Sequence, residues 1–308
     1  MERKVTLKAF EIKPAETTLQ ELLLPTLLLK SLSEHQTVNS RYLRHSELDT
    51  LDEGDFIGDY RNDKRALFGT ILRIKRGEAN SVLLQQLDKP TIRLEDIAKQ
   101  SEENVAGIIK DYSYFYMSKK YAILSAGHIS RKAVQTYFNW LLNFPEGGPP
   151  ICSLTPIVKN VNETPISAIR SIAIAEAYFN EKPEYASISK TINVFKWKIL
   201  KELLNDTVSL KNIAIEDIIS ATVRLKIRSR GKGKQDEYKN LLSSLLKSVD
   251  SEDIIINTKS GSKIRGGTLE EKKIVSIETT ESGFLHEMQL ETEMRTFLKE
   301  LENNEPHT

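Results

Sequence analysis

The sequence predicts an α+β fold of two domains, each a mostly antiparallel sheet with packed helices. Three observations carry this. The chain has 308 residues, which suits about two domains at roughly 150 residues each. Strand-patterned runs follow one another directly, as at Tyr112 to Leu124, where a parallel sheet would interpose a helix. Helical patterns are grouped apart from those runs instead of alternating with them, and no internal repeat is visible.

Taken in order, Lys4 to Ile12 alternates loosely as a strand. Thr18 and Glu21 have capping-box spacing at the head of a leucine-rich helix, Leu19 to Leu32, which Pro25 should kink or divide. Asn39 to Lys64 is polar, contains Gly54 and Gly58, and reads as irregular surface. Leu67 to Lys75 is a strand closed by Arg76-Gly77, and Thr91 to Gln100 holds a short helix. Tyr112 to Met117 and Tyr121 to Leu124 flank Ser118-Lys119-Lys120 as a hairpin. Ser130 can cap a helix running to Asn143, whose apolar stripe is Val134, Tyr137, Phe138 and Leu141. The prolines and glycines from Pro145 to Pro150 end it.

Ile151 to Val158 is a strand, and Val161 to Pro165 is the best candidate boundary. Ile166 to Phe179 fits helix or strand, and the strand pattern is preferred. Helices are expected at Phe195 to Leu204, Leu210 to Ser220 and Gln235 to Val249. Strands are expected at Ala221 to Arg228, Asp253 to Thr258 and Lys273 to Glu278, the last two around a Gly/Ser turn. Glu287 to Glu302 is a polar terminal helix. The expected partition is therefore 1–160, 161–280 and an acidic tail at 281–308.

Hydrophobic residues make up 39% and charged residues 28%, the composition of a soluble globular chain. No apolar run approaches the ~18 residues of a membrane span; Leu22 to Leu29 is interrupted by Pro25 and Thr26. The opening Met1-Glu2-Arg3-Lys4 leads into Val5-Thr6-Leu7-Lys8 rather than an apolar secretory core. The single cysteine, Cys152, has no internal disulfide partner, so a cytoplasmic location is expected.

The net charge is +1, but it is unevenly spread. From Ala221 to Lys234 every second residue after Val223 is cationic: Arg224, Lys226, Arg228, Arg230, Lys232 and Lys234. No acid lies between Ser220 and Gln235, so this segment carries +6. In a strand, alternate residues share a face. One face then holds Val223, Leu225 and Ile227, and the other holds a line of cations about 6.6 Å apart. Past Ser229 the apolar face gives way to Gly231 and Gly233. Like charges on one face repel, and nothing local offsets that cost. A polyanion is the natural partner, and nucleic acid is the commonest. Without a base-reading motif, the contacts expected are to phosphate. Tyr238, Tyr112, Tyr114 and Tyr116 are candidates to stack on bases. The same stripe also suits a lysine-guarded edge strand or a contact for an acidic protein.

The other end of the chain has the opposite sign. From Ile277 onward eight acids face Arg295 and Lys299, a net of −6. An exposed acidic helix is one reading; a tail lying over the cationic strand is another.

No catalytic constellation is assigned. The histidines His35, His45, His128, His286 and His307 lack H-x-x-x-H spacing, and none sits in a zinc-like set. Gly231-Lys232-Gly233-Lys234 is not a phosphate-binding loop. Glu237-Tyr238-Lys239 resembles half of a metal-dependent nuclease motif but falls at a predicted helix start. A nucleic-acid-cleaving toxin using Glu237 and Lys239 is the enzymatic alternative. No metal or cofactor is called for.

Ile218-Ile219-Ser220-Ala221-Thr222-Val223-Arg224-Leu225-Lys226-Ile227-Arg228-Ser229-Arg230 is similar in pattern to a strand leading into a basic helix in one known family. That family comprises the phage lambda exclusion protein RexA and related antiphage defence proteins, including the cytosolic Kiwa component KwaB. The strand Asp253 to Thr258 with its Gly-rich turn also looks like that family, as does the hairpin Tyr112 to Leu124 followed by the helix Ser130 to Asn143. The resemblance implies a dimeric two-domain α+β protein that binds double-stranded DNA without sequence preference and acts in phage exclusion, often beside a small membrane protein partner. The strict cationic alternation and the acidic end depart from that pattern.

Overall fold

The computed structural model of the chain describes residues 1–14, 24–45, 53–63, 66–75, 87–100, 109–125, 129–143, 151–157, 169–178, 220–226 and 254–303. Its sheets and helices form an α+β fold. Two compact units are present: Met1–Ile157 joined by Glu271–Thr308, and Val158–Glu270. The second is thus inserted into the first, and the Glu271 N–H donates to the Ile157 carbonyl at 2.7 Å where the chain leaves and returns.

Unit 1 contains β1 (Glu2–Pro14), α1 (Leu24–Glu34), β2 (Leu43–Arg44), β3 (Glu53–Asn62), β4 (Leu67–Lys75), α2 (Leu94–Gln100), β5 (Ile109–Met117), β6 (Tyr121–Ser125), α3 (Arg131–Asn143) and β7 (Cys152–Pro156). Two elements return after the insertion: β12 (Lys272–Glu278) and α4 (Glu287–Asn303). The strands form one sheet in the order β12-β1-β6-β5-β4-β3-β2, with β7 also on β1. The long β1 makes this possible. Its first half pairs with β12, from Glu2↔Glu278 to Lys8↔Lys272, and its end pairs with β7. All these pairings are antiparallel.

Alternation along each strand supplies two apolar faces, and helices cover both. One face sets Leu7, Phe56, Leu72 and Ile123 against Leu290, Met294 and Phe297 of α4 and Leu94 and Ile97 of α2. The other sets Phe10, Ile57, Ile71 and Phe115 against Leu28 and Leu32 of α1 and the α3 stripe Val134, Tyr137, Phe138 and Leu141. The Ser130 hydroxyl accepts from the Ala133 N–H at 3.2 Å, the cap read from sequence. Pro25 is the second described residue of α1, a place where its missing N–H is tolerated; residues 19–23 of the expected helix, on which the expected kink or division depends, lie outside the described residues. Thr18 and Glu21 lie outside the described residues.

Two expectations are corrected here. Asn39 to Lys64 is not irregular throughout: β3 occupies Glu53–Asn62 and most of it is buried. Its glycines serve close packing. A Cβ on Gly54 would meet the Leu43 carbonyl and the Tyr42 ring, and one on Gly58 would lie 2.6 Å from the Ile92 carbonyl. Its acids are paired in the interior. Asp55, 2% exposed, accepts from Arg73 Nε at 2.7 Å and Nη2 at 2.9 Å, and His45 Nε2 lies 3.0 Å away. Asp59 accepts from Arg93 at 3.0 Å.

The polar terminal helix expected at Glu287 to Glu302 is present as α4, but it is not simply exposed. α4 packs on the unit 1 sheet through its apolar side, because Leu290, Met294, Phe297 and Leu298 fall at helical spacing. Its acids meet unit 1 cations: Glu287 and Glu291 lie 2.7 and 3.2 Å from Arg61, and Glu300 lies 2.7 Å from Lys273. Likewise β12, placed in the second domain from sequence, belongs with β1.

Burial alone would raise the Asp55 carboxyl, but hydrogen bonds from Arg73 and His45 outweigh it and hold the group below the usual aspartate range. The stability it contributes is present above the unfolded value near ~3.9 and is lost as pH falls through the lower native value. We predict that Asp55→Asn flattens the acid limb of the stability–pH curve over that window. An unchanged limb in urea titrations at several acid pH values counts against the assignment.

Unit 2 contains β8 (Ile169–Tyr178), β9 (Ser220–Lys226), β10 (Ile254–Thr258) and β11 (Lys263–Arg265), in the sheet order β11-β10-β8-β9. The strand reading of Ile166 to Phe179 is found over Ile169–Tyr178, and the remaining residues of that range lie outside the described residues. The helices expected at Phe195 to Leu204, at Leu210 to Ser220 (apart from Ser220, which opens β9) and at Gln235 to Val249 lie outside the described residues. Among the described residues no helix is long and apolar enough to cross a membrane.

Candidate nucleic-acid interface

The cationic stripe enters the described structure through β9. Arg224 and Lys226 stand two apart on this strand, which is an edge of the unit 2 sheet among the described residues. Antiparallel pairing sets Arg224 opposite Ala173 and Lys226 opposite Ser171 on β8. The intervening Val223 and Leu225 stand opposite Ile174 and Ile172. Period-two alternation therefore assigns Arg224 and Lys226 to one face of the sheet and Val223 and Leu225 to the other. Arg228, Arg230, Lys232 and Lys234 lie outside the described residues.

Following the register across the sheet defines both faces. Ile172 continues to Ile256 on β10 and Ile264 on β11. With Ile254, this is the apolar face; Ile172 and Ile256 are each 1% exposed. On the cationic face, Ala173 continues to Ile255 and then Arg265, and Ser171 continues to Asn257 and then Lys263. Two rows result: Arg224–Ala173–Ile255–Arg265 and Lys226–Ser171–Asn257–Lys263. Each ends in a cation at both sheet edges, and neither contains an acid. The middle positions are neutral, with Ser171 and Ala173 buried, and the Asn257 amide donates to the Ser171 hydroxyl at 3.3 Å.

Sequence reasoning missed Lys263 and Arg265. Both are exposed, and neither makes an ion pair among the described residues. Their position is fixed by the preceding turn. Gly261 adopts φ +88° there, a conformation glycine takes without strain. The Thr258 N–H donates to the Ser262 carbonyl at 2.9 Å, and the hydroxyls of Thr258, Ser260 and Ser262 bond one another. The signal was present as Lys263-Ile264-Arg265, the same cation–apolar–cation alternation as β9. Two charges over three residues are too few to distinguish it from an ordinary surface strand.

Of the four tyrosines proposed to stack on bases, the three that are described sit in unit 1 packing. Tyr114 and Tyr116 are core residues of unit 1, 1% and 3% exposed, and Tyr112 is half-buried edge-on against Phe284. Tyr238 lies outside the described residues, as do Glu237 and Lys239. Cys152 is buried, and burial pushes its thiol up to about 12, which suits a core side chain and not a nucleophile at neutral pH. Among the described residues no group of three or more His, Cys, Asp or Glu side chains is arranged to hold a metal ion. No protein-family model matches the sequence, and no match to a curated protein was found.

Proposed function

We propose that this chain binds double-stranded DNA without sequence preference through the cationic face of unit 2, and that it acts as a sensor or effector in antiphage defence. The observation that supports the binding proposal is the strand β9, in which Arg224 pairs with Ala173 and Lys226 with Ser171, at the start of a segment of six alternating cations. The defence role is supported by the pattern resemblance of Ile218 to Arg230 to the RexA-like family. A homodimer, a membrane protein partner and a cytoplasmic site of action belong to the same proposal.

Phosphate contacts release counterions, so affinity must fall with salt. If all six cations engage, log affinity against log salt has a slope of about −5 on duplex DNA, from ~0.9 per phosphate. Fluorescence anisotropy with labelled duplexes of unrelated sequence measures it. A slope near zero defeats the proposal; binding to an acidic protein but not DNA points to the interaction-module alternative.

A further inference from the structure

We propose that unit 1 carries a binding site for an alkyl primary ammonium, on the sheet face between the first turns of α2 and α4, with Asp59, Thr70 and Tyr114 as its floor. The site is separate from the cationic strands of unit 2 and does not depend on the DNA-binding reading.

Strand register builds the floor. Asp59 on β3 stands opposite Thr70 on β4, and Thr70 stands opposite Tyr114 on β5. Residues paired across strands share a face, and Tyr114 belongs to the face that α2 and α4 cover. The rows on either side are Phe56–Leu72–Tyr112 and Arg61–Phe68–Tyr116, so a polar row interrupts a largely apolar floor. Its three members are 5%, 3% and 1% exposed. The hydroxyls of Thr70 and Tyr114 have no hydrogen-bond partner among the described residues. Two neighbouring buried hydroxyls without partners are costly for folding alone, and a concave polar spot of this kind is where a ligand is expected.

Charge names the ligand class. Glu95 and Glu287 stand in the first turns of α2 and α4, and both act on the Tyr114 phenol, together with Arg61. Arg93 donates to Asp59 at 3.0 Å, and Arg61 is divided between Glu287 at 2.7 Å and Glu291 at 3.2 Å. Glu95 has no ion-pair partner among the described residues, so acid is in excess. Burial raises the Glu287 carboxyl above the ordinary glutamate value, and Asp59 and Glu95 raise it further against Arg61 and Arg93. Side-chain exposure climbs from 7% at Asp59 through 20% at Glu287 to 58% at Arg93, so the cluster runs from the floor to the surface. The acids are not gathered as metal ligands. Tyr112 stands edge-on to Tyr114 at 5.8 Å and to Phe284 at 5.7 Å, and aromatic rings attract an organic cation. A primary ammonium brings three N–H donors. The two hydroxyls accept from it and donate to the carboxylates, while its alkyl stem lies against the apolar rows.

The test titrates the full chain by calorimetry with putrescine, Nα-acetyl-lysine amide, choline, 1,4-butanediol and Mg²⁺. Putrescine and the lysine amide supply the same ammonium, and the tighter of the two shows whether a free amine or a protein side chain is its source. At about 100 times its Kd the better amine should raise the melting midpoint by about 5–10 °C. Choline, which has no N–H donor, should bind at least ~10-fold more weakly. Tyr114→Phe removes one hydroxyl and keeps the ring, and Glu95→Gln removes one charge and no ion pair among the described residues. Each should weaken the amine about 10-fold or more, while Tyr114→Phe without amine melts no lower than the wild type. Absence of amine binding overturns the site, as does stabilisation by 1,4-butanediol or by Mg²⁺ alone. A Tyr114→Phe variant that melts lower yet binds amine unchanged also overturns it, because the hydroxyl is then structural.

Discussion

Replacing Arg41 by methionine is expected to destabilise unit 1 by about 3–5 kcal/mol. Arg41 is 0% exposed and its guanidinium donates to three carbonyls: Nε to Ile57 at 2.9 Å, Nη1 to His35 at 3.2 Å and Nη2 to Pro90 at 2.5 Å. It lies 5.7 Å from the centre of the Tyr60 ring. Burial holds its pKa below the ordinary arginine value, because the charged form is poorly solvated there. Its own carbonyl accepts from the Tyr137 hydroxyl at 2.9 Å, and that hydroxyl accepts from the Ile57 N–H at 3.0 Å. The fork thus ties the turn after α1, the middle of β3 and the segment before α2 to one point. Methionine fills similar volume but withdraws the guanidinium donors from three carbonyls, at ~1–3 kcal/mol for each that is left unsatisfied, offset in part by removal of the buried charge. For a unit of roughly 200 residues the melting midpoint should fall by about 10 °C. Arg41→Lys should fall between, since one ammonium cannot reach three diverging carbonyls as a planar fork does. A midpoint unchanged in Arg41→Met would show that the network contributes nothing.

The same residues explain why β3 was illegible. Gly54, Asp55, Gly58 and Asp59 are loop residues by composition. Each is made tolerable only by something distant in sequence: Arg73 and Arg93 for the acids, Leu43 and Ile92 for the glycines. Local pattern carries no record of such partners. The α3 helix was legible because everything it needs is local: a serine cap, four apolar residues at helical spacing, and a proline-glycine stop. The fate of β12 shows the same division. Its strand character is visible in Val275 and Ile277, but its pairing with β1, on the far side of the insertion, depends on register between segments more than 260 residues apart. The acids of α4 were visible in sequence, but the cations that Glu287, Glu291 and Glu300 meet were not. Charge along the chain records composition, whereas Arg61 and Lys273, which receive those acids, are set by the fold.

At the candidate interface the legible part was the strand period of two, which alone sets Arg224 and Lys226 on a common face. What sequence could not supply was the neighbouring strands. The β11 cations join that face only through Ile255 and Asn257, and nothing along the chain announces that pairing.

Reversing the charge at Arg224 and Lys226 is expected to weaken duplex binding on the order of 100-fold or more at low salt, equally for every DNA sequence. Each substitution to glutamate removes an attraction and adds a repulsion, and phosphate contacts carry no sequence information. The neutral pair Arg224→Gln/Lys226→Gln should fall between the reversal and the wild type, with a salt slope shallower by about 2. That intermediate separates loss of charge from loss of fold, since Gln keeps the polar stem on an edge strand whose apolar face, Val223 and Leu225, is untouched. In cells challenged with phage, protection should fall in the same order: wild type, neutral pair, reversal. Sparing of one DNA sequence by the reversed variant would require base readout and contradict phosphate binding. Protection that survives reversal while DNA binding is lost would separate the two halves of the proposal, leaving the face a DNA site and the defence role without support.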